Sequence, residues 1–203
     1  MRSIEPKMIE FLDQRLAENG LAQLAIKNKD ARALMIEAAK VCVGIREKTN
    51  RNDGPMVELI QKTIGGANGE AWCMSFVQTC VAYAEVKTGQ LSGLFPTEHC
   101  MTAWKKTDPK LRVKRHPLPG AIAIWNHYSL GKPTSAGHTG ITIGADEKTF
   151  NAVEGNTSSG QTPTGQIVRE GGGVYYCARS MQGFPKISSH ASMRLVGFLI
   201  PFA

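Results

Sequence analysis

The sequence predicts an α+β fold in which N-terminal helices pack on a central antiparallel β-sheet. Three observations lead there. In the first half, apolar residues recur at three- and four-residue steps, the period of a half-buried helix. In the second half, short runs rich in Val, Ile, Thr and aromatic residues replace that period. The connections between those runs are short enough for antiparallel pairing, and helices followed by strands is an α+β order.

The first helix is predicted over 4–18, where Ile4, Met8, Phe11, Leu12 and Leu16 share a face and Asn19-Gly20 supplies a stop. Residues 1–28 are read as a helical extension packed on a domain that occupies 29–203. Asp30 caps a second helix over 31–46, with Ala31, Leu34, Met35, Ala38, Ala39 and Cys42 inward. Turn formers fill 48–55, and Pro55 starts a third helix over 55–64. After the flexible run 64–69, a fourth helix spans about 72–86 with Phe76, Val77, Cys80, Val81 and Ala84 inward. A short helix is expected within 96–105. Strands are predicted at 121–125, 139–143, 149–153, 174–178 and 193–200.

The chain has 203 residues, 42% of them hydrophobic and 20% charged. That composition suits one domain with a sizeable core and excludes a wholly disordered, collagen-like or mucin-like chain. Lys and Arg number 24 against 17 Asp and Glu, a net charge of +7 that favours polyanionic partners. Charges at Arg2, Glu5, Lys7, Glu10, Asp13 and Arg15 leave no apolar stretch for a signal peptide. No run approaches the roughly 18 apolar residues of a membrane span. A cytoplasmically made protein that acts outside would therefore need a separate pore or host lysis.

The five cysteines are an odd number, and none lies in a CxxC pair. That argues against a zinc knuckle or a thioredoxin-like site. Cys42, Cys80 and Cys177 read as buried small hydrophobes. Cys73 differs, because Gly69-Glu-Ala-Trp-Cys73 sets it where a flexible turn becomes a helix. Free N–H groups at a helix start stabilise a thiolate and can hold an oxyanion. His138 lies between Gly137 and Thr139-Gly140 at a strand entrance, where glycine leaves room for substrate. Glu154 ends the following strand. If those two strands form a hairpin across the loop 144–148, His138 and Glu154 meet at one sheet edge. Glu154 would then orient the imidazole while its other nitrogen serves Cys73, with Asn156 just beyond.

The runs Asn50…Gly54-Pro55…Gly69-Glu-Ala-Trp-Cys73-Met-Ser-Phe-Val77, Pro119-Gly-Ala-Ile-Ala-Ile-Trp125, Gly137-His-Thr-Gly-Ile141 and Val153-Glu-Gly-Asn156 carry a resemblance. Together they resemble a CHAP-type peptidoglycan amidase or endopeptidase domain of the papain-like NlpC/P60 clan, in that family's order over about residues 31–200. The resemblance implies Cys73 as nucleophile, His138 as base, Glu154 as its acidic partner and Asn156 as an assisting residue. It also implies peptidoglycan as substrate, without choosing between cleavage at muramoyl-L-alanine and cleavage within the peptide. Many members are phage endolysins or bacterial wall hydrolases. Trp72, Gly137 and Thr139 are expected to line the substrate groove, and Trp125 to be structural. The loop 50–54 has Asp53 as its only carboxylate and poorly matches the calcium loop of some members, so no metal or other cofactor is expected.

A monomer is expected, with other anionic wall polymers as further partners. The basic run Lys105, Lys106, Lys110, Arg112, Lys114, Arg115 and His116 reads as a solvated loop or a wall-attracting surface. It has no aromatic interleaving that would point to a specific nucleic acid. Two other readings stay open: a different papain-like activity, and a basic binding module without catalysis. Val174-Tyr-Tyr-Cys-Ala-Arg179 looks like the last strand of an antibody variable domain. The rest of that pattern is missing, so the likeness reads as an ordinary strand.

Overall fold

The computed structural model describes residues 2–115, 117–158, 172–181 and 191–202. Its described residues form six α-helices and a six-stranded antiparallel sheet. The helices are α1 (Pro6–Leu16), α2 (Gly20–Lys27), α3 (Ala31–Val41), α4 (Pro55–Lys62), α5 (Cys73–Thr88) and α6 (Cys100–Lys106). The strands are β1 (Arg112–Val113), β2 (Ile122–Ser129), β3 (Lys132–Ala145), β4 (Thr149–Thr157), β5 (Gly173–Ser180) and β6 (Ala191–Leu199). They lie in the order β1-β6-β2-β3-β4-β5. No helix among the described residues is long and apolar enough to cross a membrane.

Local chemistry explains most boundaries. Asn19 is a start as well as a stop: its side chain accepts from the Ala22 N–H and opens α2, a helix the sequence reading missed. Asp30 caps α3 as expected, accepting from the Ala33 N–H. That helix ends at Val41 rather than near residue 46 because the following backbone pairs with β5. Gly44 N–H donates to the Val174 carbonyl and Val174 N–H to the Ile45 carbonyl. Pro55 opens α4 directly after Gly54, whose φ of 119° only glycine adopts without strain. Gly89, at φ 74°, ends α5 in the left-handed region.

The strand pair β2–β3 runs well beyond the predicted 121–125 and 139–143. Leu130 and Gly131 both take positive φ, at 51° and 76°, which turns the chain back and lets pairing continue to the tip. Glycine signals such a turn readily, but leucine does not. The short strand β1, which pairs with β6, was also missed.

The helices and the sheet share one core. Met8, Leu12 and Leu16 of α1 and Ala22 and Ala25 of α2 are buried in it with α3 and α5. A buried Leu or Met side chain is worth roughly 1.5–3 kcal/mol, so this apolar contact is what holds residues 6–27 to the rest. Asp13 adds polar ties, accepting from the Tyr83 hydroxyl at 2.8 Å and the Lys87 ammonium at 2.7 Å. Helix α5 is buried on nearly every side and packs against both β3 and β4. A second apolar cluster gathers Ala121, Ala123, Trp125, Phe150, Ala152, Met193 and Phe198. Trp125 stacks on Phe150 within it, the structural place expected for that tryptophan.

Candidate active site

Cys73 is the first residue of α5, at the turn-to-helix position that the sequence marks. What brings this helix start to the sheet is a glycine. A Cβ on Gly155 would sit 2.7 Å from Phe76 Cβ and 2.9 Å from Trp72 Cζ3, so only a bare backbone lets α5 lie this close to β4. Trp72 is fully buried in that seam and donates its indole N–H to Glu47 Oε1 at 2.9 Å. It presents no face to solvent, so the expected groove wall is instead a packing element.

His138 and Glu154 meet across β3 and β4. Ile141 pairs with Val153, which sets Glu154 beside Gly140. A Cβ on Gly140 would lie 2.5 Å from Glu154 Cγ, so the glycine makes room for the carboxylate rather than for substrate. His138 Nε2 is 2.8 Å from Glu154 Oε2, and the His138 ring packs on Trp125 with centroids 5.7 Å apart. With Nε2 engaged, Nδ1 is the ring nitrogen left to serve the thiol.

Gly137 and Thr139 also turn out to serve the scaffold. A Cβ on Gly137 would come within 2.5 Å of the Trp125 carbonyl oxygen and 2.9 Å of Cys100 Cβ. Thr139 is buried and its hydroxyl donates to the Ala123 carbonyl at 2.8 Å. Neither offers a free group to a ligand. The cause is the same for both: a strand next to the site is packed on both faces, so its small and polar residues are consumed by neighbours. Asn156, at φ 51°, donates its amide to Asn52 Oδ1 at 3.0 Å. Asn52 also donates to the Gly69 carbonyl and accepts from Gln61, so it links the turn 48–55 to the segment that precedes Cys73.

Two residues at the centre were not singled out by sequence. Arg179 on β5 forks onto Glu154: its Nε donates to Oε1 at 2.6 Å and its Nη2 to Oε2. Both side chains are almost wholly buried. A charged residue inside an otherwise apolar, alternating strand was the available signal. Cys100 opens α6, and its Sγ is 3.7 Å from Cys73 Sγ. No local pattern marks Cys100, because the contact joins segments 27 residues apart.

These contacts divide the charges clearly. Burial alone would raise Glu154, but Arg179 and then His138 outweigh it and hold the carboxyl down at about 2. Burial opposes charge on His138 too, yet Cys73 and Glu154 together raise it to about 9. The Cys100 thiol is the largest influence on Cys73, followed by burial, which opposes it. With His138 and a backbone hydrogen bond from Met74 added, the net result lies well below the ordinary thiol value. The site therefore favours charge on both Cys73 and His138, with the Glu154 carboxylate and the Arg179 guanidinium behind them. Cys177, by contrast, is pushed up to about 12 by burial and by Glu154, and Cys80 is also raised. Both therefore disfavour the thiolate.

The basic run has a mixed fate. Lys105, Lys106, Lys110, Lys114 and Arg115 are exposed. Arg112 spends its guanidinium on the Thr107 and Lys105 carbonyls, and both Arg112 and Lys114 lie over the Trp104 ring. His116 lies outside the described residues.

No protein-family model matches the chain, and neither the curated proteins nor the solved structures give a match.

Proposed function

We propose that the protein is a cysteine-dependent hydrolase of papain-like type whose substrate is an amide bond of peptidoglycan. One arrangement carries this reading: a thiol at a buried helix start whose neighbours favour its thiolate, an imidazole raised beside it, and a carboxylate 2.8 Å from the ring that orients it. In the proposed reaction the Cys73 thiolate attacks the scissile carbonyl carbon and backbone N–H groups at the start of α5 hold the oxyanion. His138 gives its proton to the leaving amine as the tetrahedral intermediate collapses to an acyl-enzyme. Neutral His138 then takes a proton from water, whose oxygen attacks the acyl carbon and releases Cys73. Glu154 holds the tautomer throughout, and Arg179 keeps Glu154 charged.

The peptidoglycan assignment rests on the CHAP-like order of the four sequence runs around Cys73, Trp125, His138 and Glu154. The exposed lysines at 105–114 favour an anionic wall. The test is purified protein on murein sacculi beside Cys73→Ala, with fragment masses recorded. Clearing only by the native protein is expected. A new muramic lactyl carboxylate with a free L-alanine amine identifies an amidase, and a cut between peptide residues an endopeptidase. Equal clearing by both proteins, or by neither, removes the reading.

A further inference from the structure

We propose that Cys73 and Cys100 form a reversible disulfide on exposure to peroxide, so that the reactive thiol carries its own redox lock. Two sulfurs 3.7 Å apart are in van der Waals contact, with no room for an atom between them. A bond of ~2.05 Å needs them to close by under about 2 Å. Gly137 is what seats Cys100 there, since any side chain at that position would displace it.

The chemistry favours this pair over the other thiols. Cys73 is held well below the ordinary thiol value by Cys100 and His138, and a thiolate is the form that reduces peroxide. Its sulfur takes one oxygen of hydrogen peroxide, the O–O bond breaks, and hydroxide leaves, giving Cys73 sulfenic acid. Cys100 sulfur then attacks Cys73 sulfur, the S–S bond forms, and the S–O bond breaks. That hydroxyl leaves as water with the Cys100 proton. The proton Cys73 gave to His138 turns the first hydroxide into the second water. Two electrons pass from the two thiols to peroxide.

The order of events is built in. Cys100 is held up chiefly by the Cys73 sulfur, with burial second and the Cys73 charge third. Conversion of Cys73 to neutral sulfenic acid removes that charge and so eases the attack by Cys100, against the burial that remains. The other close pair lacks this trigger. Cys42 and Cys80 are completely buried, and burial and Cys42 together keep Cys80 protonated.

The bond itself does not depend on the hydrolase reading, whereas its effect on activity does. The test is folded protein treated with stoichiometric hydrogen peroxide, then denatured, alkylated, digested and mapped by mass spectrometry. A linked Cys73–Cys100 peptide pair lacking two hydrogens is expected, reversed by a dithiol, with Cys42 and Cys80 still alkylated. In Cys100→Ser given a second equivalent of peroxide, Cys73 should pass on to sulfinic acid that a dithiol cannot reverse. Accumulation of sulfinic acid at Cys73 in the native protein, with Cys100 still alkylated, overturns the proposal. So does pairing of Cys100 with any other cysteine. If Cys100→Ser fails to fold, the native map alone decides. Clearing of sacculi is followed in parallel, with loss on linkage and return with dithiol expected. A linked pair in a protein that never clears sacculi supports the disulfide and counts against the hydrolase. Undiminished clearing by fully linked protein overturns the lock.

Discussion

Arg179 forks both oxygens of Glu154 while the same carboxylate holds His138, so three charged side chains from three adjacent strands form one buried unit. A buried charge of this kind is tolerable only while every partner is present. Arg179→Met removes the guanidinium and leaves an uncompensated carboxylate. It should cost about 3–5 kcal/mol in urea unfolding, and a loss under about 1 kcal/mol would contradict this account. Arg179→Lys should fall between, because a lysine keeps the charge and loses the fork.

Glu154→Gln separates charge from shape. The amide keeps a hydrogen-bonding oxygen near His138 but not the negative charge. The His138 pKa should then fall from about 9 toward its ordinary 6.5. Imidazole NMR titration reads this directly. If the titration does not move, Glu154 is not what raises His138.

Thiol reactivity should follow the same charges. Cys73 should be alkylated by iodoacetamide well below the pH at which an ordinary thiol reacts, with Cys80 and Cys177 protected. Cys100→Ala removes the largest influence lowering Cys73, so the alkylation profile should shift to higher pH. An unchanged profile would assign the activation to His138 and Met74 alone.

Stability should peak near neutral pH. The Glu154 carboxyl is lowered on folding, so its contribution is present above about 4.5 and is lost as pH falls toward about 2. His138 is raised on folding, so its contribution is complete below about 6.5 and is lost as pH rises through about 9. Each shift corresponds to roughly 3 kcal/mol if it acted alone, and to less here because the two share a hydrogen bond. Cys73 is lowered on folding, so its contribution is complete only above the ordinary thiol value and is lost as pH falls, which offsets the His138 loss between about 6.5 and 9. Thermal unfolding from pH 3 to pH 10 should show stability rising out of acid to a maximum within about pH 6.5–9. In Glu154→Gln the acidic decline should weaken.

Gly140→Ala probes packing rather than charge. The added methyl would fall 2.5 Å from Glu154 Cγ, so the carboxylate must move off His138 or the strands must part. A loss of about 1–3 kcal/mol is expected from overpacking. The pKa of His138 should drop with it. A variant as stable as the native chain, with His138 still near 9, would show that the site has slack here.

The helices were legible because their signals are local. Asp30 and Pro55 open α3 and α4 where capping chemistry puts them, and the apolar period over 31–41 survives in the structure. The errors arose where distant chain intruded. Residues 44–46 left the predicted helix to pair with β5, and Leu130 turned a strand that leucine does not announce. The same division runs through the site. A hairpin of β3 and β4 was enough to bring His138 to Glu154, because the two strands are consecutive and their loop is short.

By itself, then, the sequence determined the α+β order, the helix start at Cys73 and the hairpin that joins His138 to Glu154. Each follows from capping, periodicity or a short turn, forces that act over a few residues. Only the tertiary structure decided that Arg179 fixes the charge of Glu154 and that Cys100 touches Cys73. It also decided that Gly137, Thr139 and Trp72 are spent on packing. Those contacts join segments with no shared local pattern, and burial sets their chemistry. The composition does not show which charges will lose water, and for this site that loss and its compensation determine which groups are ionised.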